Sequence, residues 1–251
     1  MNNPLRFSWW QAYSQRRFGI LLTVLLALLG GSPILVELGL SGQWYDGLMS
    51  LLMLAAILPL CFEPLQRLLA LLVGIPTIIF SLGGYAFSGT VGDWALFIGH
   101  LCEALFFGGA AALIVRSLFD IRTLTVDSIC GAACGYLFLG LGWAVLYSMV
   151  EEFRPGSFAA NPSLLTSEDR PRVLPHVLTY YSFVTLTTVG YGDVTPISPI
   201  TRTFAWIEAM SGQFYLAVIV AGLVSMIAAN TGQMTLTNMV SKGGDAPPTH
   251  K

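Results

Sequence analysis

The sequence predicts an all-α membrane protein with six transmembrane helices and a short re-entrant helix and loop between the fifth and the sixth. Three observations carry this. Only 10% of the residues are charged and 55% are hydrophobic, against roughly 25% charged in a soluble domain, so lipid is the solvent that suits the chain. The charges that do occur are spaced so that the gaps between them match the ~20 residues a helix needs to cross the hydrocarbon. One uncharged stretch, bounded by Arg172 and Asp193, is too rich in Thr, Tyr and Gly to face lipid. A net charge of -2 supports neither a polybasic nucleic-acid binder nor an acidic disordered chain, and six Trp with nine Tyr suit headgroup-level anchoring.

Taken in order, the first gap runs from Arg17 to Glu37, the second from Asp46 to Glu63 and the third from Arg67 to Asp93. The fourth, from Asp93 to Arg116, is interrupted only by Glu103, and the fifth runs from Asp127 to Glu151. The last apolar stretch, about 202–230, contains one acid, Glu208. The first apolar run follows a long leader and lacks a small-residue cleavage site, so an uncleaved span is expected rather than a signal peptide. Six spans put both termini on one side. That side collects Arg6, Arg16, Arg17, Arg67, Arg116, Arg122, Lys242 and Lys251, against Arg154, Arg170, Arg172 and Arg202 on the other, which predicts cytoplasmic termini in the cell membrane.

The segments expected are a cytoplasmic N-terminus at 1–17, a four-helix transmembrane domain at 18–116, a second membrane domain at 127–230 and a short cytoplasmic tail at 231–251. With a tail of that length, a gating domain in the same chain that binds nucleotide or calcium is not expected. The loop at about 149–172 then faces outward, with Glu151, Glu152, Glu168 and Asp169 expected to form an acidic turret. Asn161 precedes Pro162 and is no glycosylation acceptor. Cys61, Cys102, Cys130 and Cys134 lie in or beside spans, where they read as interface packing, with no disulfide framework implied. Gly131, Gly135, Gly140 and Gly142 on the fifth span permit close helix approach, expected against the sixth.

Between the fifth and sixth spans the composition changes. Pro175 suits a first helical turn, so a short helix over 175–187 followed by extended backbone is expected, and non-helical backbone at membrane depth must be surrounded by protein or line a water-filled cavity. Residues 185–196 read TLTTVGYGDVTP. A cation crossing a membrane must replace its lost water oxygens, and backbone carbonyls can do so when glycines at alternate positions free the chain to point successive C=O groups one way. Gly190 and Gly192 supply that freedom. Thr188 adds a hydroxyl, and Val189 and Tyr191 are expected to turn away from the axis and pack against their surroundings.

The run Thr188-Val189-Gly190-Tyr191-Gly192-Asp193 resembles the selectivity-filter signature of potassium channels, set between a pore-helix-like PHVLTYYSFVTLT and an inner-helix-like final span. The resemblance implies that carbonyls of Thr188, Val189, Gly190 and Tyr191, with the Thr188 hydroxyl, line a row of dehydrated K+ sites within a filter that extends to Gly192. It implies filter support from Tyr180 and Tyr181 as an aromatic cuff, from Thr187, and from Asp193 as an acceptor for Tyr180. Val184 stands where some relatives carry a pore-helix Glu. Gly212 falls at an inner-helix hinge position, where close packing is the competing reason for a glycine. Glu208, one turn earlier, is expected either to hydrogen-bond behind the filter to Thr185, Thr187 or Tyr181, or to attract cations.

Six-span potassium channels commonly use the first four spans as a voltage sensor with Arg or Lys at every third position of the fourth. Residues 91–115 contain neither, so the chain resembles a bacterial-type channel without a conventional sensor and strong voltage gating is not expected. His100 and Glu103, three residues apart, share a helix face there, either as a proton-linked pair or as buried groups bonded to a neighbouring helix.

The function this implies is passive K+ conduction by one subunit of a homotetramer, since one chain carries one filter strand. The expected partners are K+ ions and membrane lipid, with no nucleic acid and no cofactor. A non-selective cation channel is the alternative. A potassium transporter component fits less well, because transporters carry four such loops in one chain. No HExxH, GxSxG or Walker motif suggests an enzyme.

Overall fold

The structure, a computed structural model, describes residues 4–38, 42–60, 71–80, 90–119, 125–161 and 170–243. The elements in order are α1 (Pro4–Glu37), α2 (Gly42–Leu60), α3 (Leu71–Phe80), α4 (Thr90–Phe119), α5 (Val126–Phe153), β1 (Phe158–Ala160), α6 (Arg170–Leu186), β2 (Val194–Pro196) and α7 (Pro199–Gly243). Among the described residues four stretches are long and apolar enough to cross a membrane: Arg16–Ile34, Thr90–Ser117, Val126–Phe153 and Pro199–Gly222. They coincide with the first, fourth, fifth and sixth gaps between charges. The second and third gaps fall on α2 and α3, whose described apolar stretches, Tyr45–Ile57 and Leu71–Phe80, are shorter. Cys61 and Arg67 lie outside the described residues.

α1 is broken at Arg16, where φ -131° and ψ 17° leave the helical region. A helix that restarts there exposes N–H groups without acceptors of their own. Asp127, in the first turn of α5, supplies one: its Oδ1 accepts from Phe18 N at 3.0 Å and from Gly19 N at 2.9 Å. The carboxylate therefore caps a helix other than its own and ties α1 to the start of α5. Asp127→Ala should cost about 1–2 kcal/mol and lower the Tm of the purified protein by roughly 2–8 °C, whereas Asp127→Asn keeps an acceptor and most of the stability. Equal melting of the Ala variant and the parent would refute the capping role.

α5 is the central helix and packs against α1, α4, α6 and α7. It starts cleanly because Thr125 at its N-cap, with φ -120° and ψ 160°, accepts from Ser128 N at 3.1 Å. The expectation that its small residues face the last helix holds in part. Gly135 lies under Tyr215 of α7, but Gly131 lies under Phe18 of α1, Gly140 under Phe183 of α6 and Gly142 against Phe107 of α4. A helix turns by about 100° per residue, so glycines spread over three turns serve several neighbours. Cys134 is buried with its thiol 3.6 Å from Phe18 O, and Cys102, Cys130 and Cys134 are free.

The main core gathers Phe18, Leu21, Leu25, Met49, Leu52, Phe107, Ile114, Phe138 and Leu141 from α1, α2, α4 and α5. A second cluster of Tyr147, Phe158, Val177, Leu178, Tyr181 and Val194 joins α5, α6 and both strands. β1 and β2 pair antiparallel, Phe158 opposite Pro196 and Ala160 opposite Val194. This clip fastens the chain leaving α5 to the chain entering α7.

The acidic turret needs correction. Glu151 and Glu152 belong to the last turn of α5. Glu151 is buried, and its carboxylate accepts from Gly156 N and Ser157 N, both at 2.8 Å, so the α5–β1 turn is closed by a carboxylate rather than left open. Glu152 reaches back to His100 of α4. Glu168 and Asp169 lie outside the described residues.

Candidate functional site

The site is the segment from α6 through β2. α6 begins at Arg170, so Pro175 sits inside it rather than in its first turn. The first-turn proline is Pro171, where a missing N–H costs nothing, and Pro175 is carried by the helix that Pro171 starts. Leu178, Ser182 and Leu186, four residues apart, are fully buried, which marks the face that α6 turns toward α5 and α7.

α6 ends in a Schellman motif. Thr188 N donates to Thr185 O at 2.9 Å and Val189 N to Val184 O at 3.0 Å, with Thr188 in the left-handed region at φ 60°. Glycine normally takes that position; a β-branched residue there stores about 1–2 kcal/mol of backbone strain. Gly190 and Gly192 follow at φ 58° and 79°. Positive φ therefore recurs at every second residue, 188, 190 and 192, and among the described residues Thr188 is the one non-glycine with this property. Such alternation turns successive carbonyls toward one side of the strand. Val189 and Tyr191, expected to be packed, are 52% and 72% exposed.

Asp193 closes the segment. Its Oδ2 accepts from Tyr180 Oη at 2.7 Å, its Oδ1 from Val194 N at 3.1 Å, and its backbone carbonyl from Asn161 N at 2.9 Å. Tyr181 turns the other way, into an aromatic group with Tyr147 and Phe158, all centroids 5.1–5.4 Å apart. Thr187 Oγ1 folds back on Phe183 O at 2.6 Å.

Glu208 is fully buried behind this segment. Its partners are Tyr147, whose hydroxyl donates to Oε2 at 2.6 Å, and Ser182, whose hydroxyl contacts Oε1 and Gly140 O. Thr185, Thr187 and Tyr181, the expected candidates, are not its hydrogen-bond partners among the described residues. Thr187 is exposed and Ser182 lies on the buried stripe, so helical phase decides against proximity in sequence. Burial with two donors argues against an exposed cation attractor. A lone Ser in an apolar i, i+4 stripe was the available signal for Ser182; Tyr147 had none in sequence.

At Gly212 an added Cβ would run into the carbonyl oxygen of Leu186, with Leu186 Cδ1 at 3.0 Å. α7 is continuous through this point. The glycine serves close approach to the last turn of α6. The same Leu186 carbonyl accepts from Tyr136 Oη at 3.0 Å, while Trp143 Nε1 donates to Ser211 Oγ at 3.1 Å and Tyr215 Oη to Ala132 O at 2.6 Å. The first of these contacts ties α5 to the last turn of α6, and the other two tie α5 to α7. No group of three or more His, Cys, Asp or Glu among the described residues is arranged to hold a metal ion.

Residues 176–229 match a family described as an ion channel, a span that begins in α6, crosses the site and runs along α7. Protein LctB of Bacillus caldotenax is 36% identical over 127 residues, a match covering 47% of this chain and 92% of that protein. Protein LctB of Geobacillus stearothermophilus is 33% identical over 140 residues, covering 56% and 94%. Two-pore potassium channel 5 of Arabidopsis thaliana is 32% identical over 63 residues, 25% of this chain and 15% of the plant protein. No solved structure matches the chain.

Proposed function

Given that the chain belongs to the family of the LctB proteins and carries an ion-channel domain, we propose that it is a potassium-selective channel subunit that conducts K+ passively through a carbonyl-lined filter at residues 188–192. The observation that carries this reading is the alternation of positive φ at Thr188, Gly190 and Gly192, which a loop serving only as a connection has no reason to hold. Strain at Thr188 is repaid if its carbonyl and hydroxyl meet a dehydrated ion. The plant relative named as a potassium channel supports the choice of K+.

One strand makes one side of a pore, and the subunit is completed as a homotetramer. The exposed apolar side chains of Val189, Tyr191, Trp206, Met210 and Phe214 suit neighbouring copies. Six membrane-crossing segments with cytoplasmic termini place the filter toward the outside of the cell membrane, divided as 18–116 for the helices before the pore, 127–230 for the pore domain and 231–251 for the tail. With no Arg or Lys at 91–115, each subunit lacks the charges that make opening steep in voltage. Tyr180, Asp193, Tyr181, Thr187 and Glu208 support the filter, and Gly212 lets α7 approach it.

Reconstitution in liposomes or planar bilayers tests this directly. In a K+ gradient with Na+ opposite, the reversal potential should follow the K+ equilibrium potential. A reversal potential indifferent to exchanging K+ for Na+ would identify a non-selective cation channel and reject the selectivity assigned to 188–192.

A further inference from the structure

The contacts around Glu208 can be counted in protons. Ser182 Oγ meets two oxygens, Gly140 O at 2.7 Å and Glu208 Oε1, and a serine hydroxyl has one proton to donate. The Gly140 carbonyl can only accept, so Ser182 donates to it. The contact between Ser182 Oγ and Glu208 Oε1 then holds a proton only if the carboxyl supplies it. At the other carboxyl oxygen, Tyr147 Oη donates to Oε2 at 2.6 Å. With a neutral carboxyl, three hydroxyl protons meet three acceptors: Glu208 donates to Ser182, Ser182 to Gly140 O and Tyr147 to Oε2. With an ionised carboxyl, two protons face the same three contacts, and Ser182 must release either Gly140 of α5 or Glu208 of α7.

The surroundings favour the neutral form. Glu208, Ser182 and Tyr147 are all fully buried. Among the described residues no Lys, Arg or His forms an ion pair with Glu208, and the titratable groups that face it are Tyr136 and Tyr147 of α5 and Tyr181 of α6, none of which can become a cation. A buried carboxylate without a cation keeps its proton rather than its charge. Asp127 is the contrast: its Oδ1 accepts from two backbone N–H groups, which can only donate, so that carboxyl needs no proton of its own.

We propose that Glu208 is held as a neutral carboxylic acid and is the proton donor that keeps Ser182 on Gly140 O, so that one chain of hydrogen bonds ties α7 through α6 to α5 behind residues 188–192. Ser182 is the positioning residue of this chain: it takes the proton of one helix and passes its own to another. A neutral acid also adds no fixed charge behind the strand. The placement of the proton stands on these contacts alone, and its bearing on the filter rests on the channel reading above.

The test is infrared spectroscopy of the purified full chain in lipid at neutral pH, with Tm and reversal potential measured on the same preparations. The parent should show a C=O stretch of a protonated carboxyl that is missing from Glu208→Gln. Ser182→Ala should move that band, because the carboxyl proton loses its acceptor. In Glu208→Gln the amide N–H donates to Ser182 and the amide oxygen accepts from Tyr147, so this variant should melt within about 2 °C of the parent and recover the K+ selectivity that Glu208→Ala loses. A parent-minus-Gln difference without a protonated-carboxyl band overturns the proposal, as does a band that Ser182→Ala leaves in place. A Gln variant that melts as low as Glu208→Ala overturns it as well. A chain that shows the band, and its shift in Ser182→Ala, but passes no K+ would reject the channel reading and uphold the proton on Glu208.

Discussion

Replacing Gly190 with Ala is expected to abolish selective K+ flux while leaving the oligomer assembled. Gly190 sits at φ 58°, a region where an L-residue costs roughly 1–2 kcal/mol per chain, which the four strands of the proposed tetramer would multiply to about 4–8 kcal/mol. No atom lies within 4 Å of an added Cβ at this position, so within one chain the penalty is conformational rather than a clash. It falls on the alternation of positive φ at 188, 190 and 192 that the proposed filter needs. Native gel migration should match the parent, and K+ flux from liposomes should fall by 100-fold or more. Full flux from the Ala variant would mean that these carbonyls do not line the pathway.

Replacing Glu208 with Ala is expected to loosen α6 from its seat. The carboxyl is fully buried and joins Tyr147 of α5 to Ser182 of α6 from its own place on α7. Truncation strands the buried Tyr147 hydroxyl, leaves Ser182 with Gly140 O alone and opens a cavity, together about 3 kcal/mol, read as a Tm lower by roughly 6–12 °C. Glu208→Gln keeps the shape and a group that can both donate and accept, and should recover most of the loss. A filter supported from behind should also lose K+ selectivity in the Ala variant. Unchanged melting and an unchanged reversal potential together would rule out a supporting role for Glu208.

Much of the architecture was legible because lipid imposes a simple rule: charges are excluded from spans, so the gaps between them mark where helices run. α4, α5 and the apolar part of α7 fall where those gaps lie. The backbone of 188–192 was legible for a different reason, since the alternate glycines Gly190 and Gly192 are a local requirement visible without any neighbour. The start of α6 was misplaced because two prolines, Pro171 and Pro175, each offered a first turn and sequence does not choose between them.

The polar contacts were read less well. The predicted partners of Glu208 were the hydroxyls nearest the filter in sequence, but the rotation of α6 about its axis turns Ser182 inward. Asp127 counted only as a gap boundary, although it caps a break in α1 more than 100 residues away. Glu151 and Glu152 were placed in an outward loop because the fifth gap between charges ends at Glu151, yet one closes a turn and the other meets a histidine on α4.

By itself the sequence determined the solvent, the positions of the long helices and the backbone freedom of the 188–192 strand, because each depends on composition or on a residue's own φ preference. Only the tertiary structure decided which carboxylate meets which donor and which glycine meets which helix. Those outcomes depend on helical phase and on crossing points, where a rotation of one residue, about 100°, exchanges one partner for another.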